Sequence, residues 1–159
     1  MQRVRQKVSV LFSLSLAACR PDPLPVPAPV APPMPAKRFG ELMTEVGRRF
    51  ERVGRAASAE RWRLVSYDLA ELQELFDDDL TDAVLPPDAP RNLQAMARSF
   101  ATSQLPVLAK AATGTDKAAF AQAFSQVATA CNACHAASAR GFLVVPSGPG
   151  AAVPSLDAP

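Results

Sequence analysis

Cys131, Cys134 and His135 are the residues whose types and spacing carry the most chemistry in this 159-residue chain. They stand in Cys131-Asn132-Ala133-Cys134-His135, a C-x-x-C-H motif, the spacing at which two thiols add to the vinyl groups of a haem and the imidazole binds its iron from the proximal side. On a helix the cysteines fall at i and i+3 and the histidine at i+4 from the first, so all three project from one face. Chance is a poor explanation, since this composition yields about one such match in three thousand chains of this length. Zinc would need a fourth ligand and a second Cys/His pair, and the chain holds one histidine and three cysteines in all. A redox dithiol would need a βαβ setting that the sequence does not offer. The single histidine also means that no second histidine of the same chain can take the iron's other side.

Apolar periodicity gives the elements that must position these residues. From Lys37 the pattern turns helical. Phe39, Met43, Val46, Phe50, Val53 and Ala57 recur at alternating steps of four and three. Arg48, Arg49, Glu51, Arg52 and Arg55 fall opposite and read as a solvated face, with the docking of an acidic redox partner as the functional alternative. Ser58 suits the N-cap of a second helix, in which Trp62, Val65, Leu69, Leu72 and Phe76 repeat the steps. Asp77-Asp78-Asp79 opposes the helix dipole and predicts fraying before a loop carrying Pro86, Pro87 and Pro90. The same aspartates lack the ligand order of an EF-hand. A third helix from Arg91 turns Leu93, Met96, Phe100, Val107 and Ala111 inward, and Pro106 predicts a break near Ser103. Gly114 ends it. Thr115 or Asp116 then caps a fourth helix with the seam Phe120, Phe124, Val127, Cys131 and Cys134, ending near Arg140-Gly141. Phe142-Leu143-Val144-Val145 is a short apolar run that could cover a haem edge. Four amphipathic helices with mostly short connections predict an all-α fold, an antiparallel up-down four-helix bundle over residues 37–145. One tryptophan, one tyrosine and few β-branched runs argue against strands.

The flanks belong to export. Arg3, Arg5 and Lys7 precede the apolar run Val8 to Leu16, which is too short to span a bilayer. Leu16-Ala17-Ala18-Cys19 then reads as a bacterial lipobox, with residues 1–18 as the signal peptide and Cys19 as the lipid-bearing new N-terminus. Losing the three basic residues takes the formal charge from +2 to −1, close to neutral, and gives no electrostatic case for nucleic acid. One cysteine for lipid and two for haem leave no thiol over. Residues 19–36 join the lipidated cysteine to a proline-rich linker, suited to polyproline II, and residues 146–159 form a loose tail. Arg20 after the cysteine leans toward an outer-membrane anchor.

A C-x-x-C-H on the last helix of an exported four-helix chain resembles the cytochrome c′ and cytochrome c-556 group. The resemblance runs from Arg38 to Val145, whereas the ordinary cytochrome c fold carries the motif near its N-terminus. It implies one covalent haem c held by Cys131, Cys134 and His135. In the low-spin c-556 branch a methionine of the first helix is the sixth ligand, and Leu42-Met43-Thr44-Glu45-Val46-Gly47 is similar to the Leu-Met-x-x-x-Gly found there, which implies Met43. Geometry alone leaves the choice open. Met43 and Met96 lie at similar depths in the first and third helices, and Met34 stands in the linker. Gly47 either relieves crowding beside a porphyrin or permits close helix packing. The group often has arginine four residues after the haem histidine, where this chain has Ala139, with Arg140 next. The implied role is not enzymatic: a single-electron carrier serving periplasmic or membrane redox proteins, anchored to the periplasmic face of a membrane. The high-spin c′ branch implies instead a five-coordinate haem that binds nitric oxide or carbon monoxide. Weak peroxidase activity would lack a distal histidine. Related bundles commonly form homodimers.

Overall fold

A computed structural model describes residues 36–148. The signal segment, Cys19, Met34, the linker up to residue 35 and the tail from residue 149 lie outside the described residues. The fold is all-α, and among the described residues the one piece of extended pairing is an isolated bridge between Arg38 and Val84. Helices make four rods. The first is α1 (Phe39–Ser58). The second is α2 (Trp62–Glu74), prolonged by a π-helical turn (Leu75–Asp79) and the short α3 (Leu80–Asp82). The third is broken into α4 (Leu93–Ser103) and α5 (Leu105–Thr113), and the fourth is α6 (Lys117–Ala137). Contacts join α1 to α2, α2 to α5, α5 to α6 and α6 back to α1. Among the described residues no helix is long and apolar enough to cross a membrane.

Apolar side chains follow the expected periodicity with two shifts. In α1 the buried seam is Phe39, Leu42, Val46, Phe50, Val53 and Ala57, so Leu42 takes the inner position and Met43 lies half-buried on its flank. In the third rod Leu93, Ala97, Ala101, Leu105, Leu108 and Ala112 face inward, while Val107 is exposed. The expected Met96, Phe100 and Ala111 are only half-buried. Pro106 cannot donate to Thr102 and its ring crowds that carbonyl, so the rod breaks at Gln104 and restarts at Leu105. Phe100 turns sideways to stack on Phe76, with ring centroids 5.0 Å apart. The second rod keeps its seam of Val65, Leu69, Leu72 and Phe76.

Helix ends also depart from expectation. Ser58 is the last residue of α1, donating its hydroxyl to the Gly54 carbonyl at 3.1 Å, and α2 starts after Arg61. Between them Glu60 takes a left-handed backbone (φ 58), and Arg61 N–H reaches back to the Ala56 carbonyl at 2.9 Å, the double closure of a Schellman turn. The acidic run does not fray. Asp79 is paired with Lys37 at 2.8 Å and Asp77 accepts from Gln73 at 2.9 Å, so the charges that oppose the dipole are held by partners and the rod runs on to Asp82.

The arginine face of α1 is not simply solvated. Asp68 of α2 is completely buried, accepting from Arg52 Nε at 2.7 Å and through a second, very short contact with Arg52 Nη2. Arg49 lies 3.4 Å from Asp68 and 3.1 Å from Glu71. Its Nε also sits 2.7 Å from Glu45, off the line of a good hydrogen bond. A carboxylate stripped of water is held only while those donors stay in place. Replacing Asp68 with alanine removes the acceptor and leaves two guanidiniums against the helix interface. We expect Asp68→Ala to destabilise the chain by about 2–3 kcal/mol, less than for a fully dry pair because Arg52 still reaches water. Urea unfolding followed by circular dichroism measures this, and an unchanged midpoint would mean the network adds nothing.

Candidate functional site

Helix α6 divides into two functional halves. Asp116 caps it, its carboxylate accepting the Ala119 N–H at 2.8 Å. The first half then buries Phe120, Ala123, Phe124, Val127 and Ala128. Phe124 stacks on Phe50 of α1 at 4.2 Å between centroids, and Phe120 meets the edge of Trp62 at 5.7 Å. Beyond Ala128 no residue of the helix is fully buried. Cys131 and Cys134 are half-covered and pack on the margin of the core, continuing the seam but not closed over by it. The motif thus lies on an unbroken helix whose apolar side is only partly covered at this end.

Both thiols are held as thiols. Burial pushes Cys131 up to about 12, with Cys134 adding to the effect, and burial likewise raises Cys134. Reactive dithiols and thiolate metal sites need the reverse, a setting that stabilises the anion. Among the described residues no three His, Cys, Asp or Glu side chains converge as a ligand set for a bare ion. The site fits addition of two S–H groups to a large apolar group lying on the helix face.

His135 is positioned from beyond the helix. α6 ends at Ala137, three residues before the Arg140 stop expected from the sequence. Ala139 adopts the left-handed backbone (φ 58), with its N–H on the Ala136 carbonyl at 3.2 Å and Arg140 N–H on the His135 carbonyl at 2.7 Å. This Schellman closure reverses the chain, and Phe142 to Val145 returns along the helix. His135 Nδ1 then lies 2.7 Å from the Leu143 carbonyl oxygen. A carbonyl only accepts, so this bond requires the proton on Nδ1, and that tautomer leaves the Nε2 lone pair available to a metal.

Two further anchors fix the returning segment. Asn132 receives the Val145 N–H on Oδ1 at 2.7 Å and donates Nδ2 to the Val145 carbonyl at 2.9 Å. Arg140 grips Asp88, in the connection between the second and third rods, at 2.7 and 2.8 Å. That guanidinium holds the Asp88 carboxyl below the usual carboxylate range. Arg140 therefore has a protein partner in Asp88. The side chains of Phe142 and Val144 point outward, 76% and 73% exposed, while the half-buried Val145 packs on the margin of the core.

Long-range contacts gather several candidates at one end. Phe39 N–H bonds the Val84 carbonyl at 3.0 Å, Lys37 pairs with Asp79, and Arg140 pairs with Asp88. The start of α1, the connection before α4 and the residues after α6 therefore share an end, while Lys117 at the start of α6 reaches Glu60, past the end of α1, at 3.4 Å. Met43 and Met96 both lie within two turns of that shared end. Met43 is on α1, which packs directly on α6, and its half-buried side chain packs against the core. Met96 is on α4, which packs on α3, α5 and the π-helical turn. A Cβ added at Gly47 would meet nothing within 4 Å, so close helix packing does not account for that glycine.

No family model, curated protein or solved structure matches the chain. What the site can do therefore rests on its own residues. Sequence reasoning found the motif and missed the three groups that orient it: the Leu143 carbonyl, the Val145 backbone and Asn132. The asparagine at a variable motif position was the one visible signal; a backbone carbonyl leaves none.

The thiol environment has a direct consequence. At pH 8 about one free cysteine in four is thiolate, against about one in ten thousand for a thiol near 12. In chain produced without haem attachment, Cys131 should alkylate with iodoacetamide at least about a hundredfold more slowly than free cysteine, mapped by mass spectrometry. Rapid labelling at pH 8 would point instead to a reactive dithiol.

Proposed function

We propose that the chain is a mono-haem c-type cytochrome that carries single electrons, with haem c bound through Cys131 and Cys134 and His135 as its proximal ligand. The observation that carries this reading is the C-x-x-C-H on one continuous, half-covered helix with His135 Nδ1 bonded to the Leu143 carbonyl, which presents Nε2 to a metal. The bound haem would supply a one-electron Fe(III)/Fe(II) couple. The chain's own part is to fix the imidazole's direction, to keep the thiols protonated until they add across the vinyl groups, and to cover the apolar ring while leaving an edge near the surface. The ring of rod contacts, with the start of α1 and the end of α6 at one end, supports an antiparallel up-down four-helix bundle of the cytochrome c′ and c-556 kind.

Met43 is our proposed sixth ligand. Its place on the rod beside α6, at the end that holds His135, favours it over Met96, and Gly47 one turn later leaves open space where a porphyrin would need it. The lipobox Leu16-Ala17-Ala18-Cys19 supports export and a lipid anchor at Cys19, on the periplasmic face of a membrane, with periplasmic or membrane redox proteins as partners.

Two experiments test these assignments. Cys131→Ala/Cys134→Ala should abolish pigment that survives denaturing electrophoresis, and pigment that persists would overturn the central claim. Optical and EPR spectra of the purified holoprotein should be low-spin, turning high-spin and carbon monoxide-reactive in Met43→Ala. A wild type already high-spin would instead indicate the five-coordinate, gas-binding form.

A further inference from the structure

The segment that returns along α6 makes its one bond to the imidazole through a backbone carbonyl, and a carbonyl in a chain end can keep a direction only if the chain on both sides is held. On the near side the hold is local. Arg140 is fixed by Asp88 and by its N–H on the His135 carbonyl, and Leu143 N–H closes a turn onto the Arg140 carbonyl at 2.8 Å. On the far side the hold is Asn132, whose amide meets both the N–H and the C=O of Val145 at 2.7 and 2.9 Å. This pairing copies one rung of a β-ladder, using a side-chain amide in place of a backbone. Beyond it lies Pro146, which has no N–H to add a further bond. The side chains of Phe142, Leu143 and Val144 are turned to solvent, so apolar packing of the segment is confined to Val145, the residue that Asn132 clasps.

We propose that Asn132 is a positioning residue for the proximal ligand: by clasping Val145 it keeps the Leu143 carbonyl on His135 Nδ1–H and so lowers the reduction potential of the iron. The inference rests on the haem reading above. A hydrogen bond from Nδ1–H to a carbonyl gives the ring more anionic character and makes Nε2 a stronger donor, which favours Fe(III) over Fe(II). Asn132 sits one residue after the first haem cysteine, three residues before the histidine, so the motif itself carries the orienting group in one of its two variable positions. The role needs a donor and an acceptor at the end of a short side chain. Asparagine alone supplies both at that length; aspartate offers only acceptors, and would face the Val145 carbonyl with a charge.

The test uses full-length holoprotein. Because His135 is the chain's one histidine, labelling with ¹⁵N-histidine gives the ring signals of that residue alone. Hydrogen exchange of the ring N–H is followed in the reduced form, diamagnetic through its methionine ligand or, were the sixth position open, through added carbon monoxide, and the midpoint potential is titrated without carbon monoxide. Two variants break the clasp from opposite sides. Asn132→Ala removes the side-chain amide, and Val145→Pro removes the backbone donor while leaving all five motif residues intact. Both should retain covalent haem. In both, ring N–H exchange should accelerate at least about tenfold, and the Fe(II)/Fe(III) ratio at fixed potential should rise about three- to tenfold, a shift of about 30–60 mV for one electron. Asn132→Asp should fall between them and wild type. Unchanged exchange in both variants would overturn the proposal, because the segment would then hold without Asn132. Faster exchange at an unchanged potential would overturn it too, since the clasp would be structural only. Wild type lacking pigment on denaturing gels would overturn the haem reading itself, and that assay reads it separately.

Discussion

A histidine binds metal in a fixed direction only when its other ring nitrogen is held, and here the hold is a single backbone carbonyl eight residues further on. Everything at this end of the molecule follows from bringing that carbonyl back to the ring. The helix must stop soon after His135, which requires a residue at the left-handed position. Alanine fills it at Ala139, at a cost of about 1 kcal/mol relative to glycine. The closure is maintained by the Ala139 and Arg140 amides on the last turn and by the Arg140–Asp88 pair, which ties the reversal to a different part of the fold. The local strain is offset by contacts that a glycine there would not by itself provide.

The same economy of elements shapes α6 as a whole. Its first half is anchored by aromatic stacking on α1 and on Trp62, and this fixes the rotation of a helix whose second half is only half-covered. A helix so clamped presents Cys131, Cys134 and His135 in a set direction without the last two turns being buried. The α1–α2 interface uses a different device. Asp68 gathers Arg49 and Arg52 across it, so the two rods are matched by charge as well as by their apolar seams. Such a network is costly to build in low dielectric and narrows the ways in which the rods can pair. The fold therefore has a chemically specific joint on one side and an unfinished apolar margin on the other.

Much of this was legible in the residues. The four rods, the break ahead of Pro106, the Asp116 cap and the motif all depend on local spacing or on a side chain with one strong preference, and local rules read those well. What was not legible depends on tertiary neighbours. Leu42 and Met43 are equally apolar, and only packing decides which turns inward. The seam of the third rod shifted because small Ala97 and Ala101 take the core positions and send Phe100 to Phe76. Arg49 and Arg52 look like a solvated face until Asp68 is placed opposite them. Asn132 and the Leu143 carbonyl became visible only once the chain had turned back, because nothing in a sequence marks which carbonyl a histidine will meet.

Gly47 bears on the side of the proposed haem opposite His135. A glycine in the middle of a helix costs about 0.5–1 kcal/mol relative to alanine, and such a cost is normally offset by a close neighbour or a special backbone. Neither is present. Gly47 has no left-handed φ, and a Cβ there would touch nothing within 4 Å. Helix packing, the ordinary explanation, is thereby removed. The residue stands one turn after Met43, on the rod that packs against α6, at the end where His135 is oriented. A flat apolar ring lying against α1 at that level would be crowded by a side chain at residue 47 and not by a hydrogen. Under the proposed haem reading, the weak point in helix propensity at the exposed Gly47 and the half-covered end of α6 share one explanation.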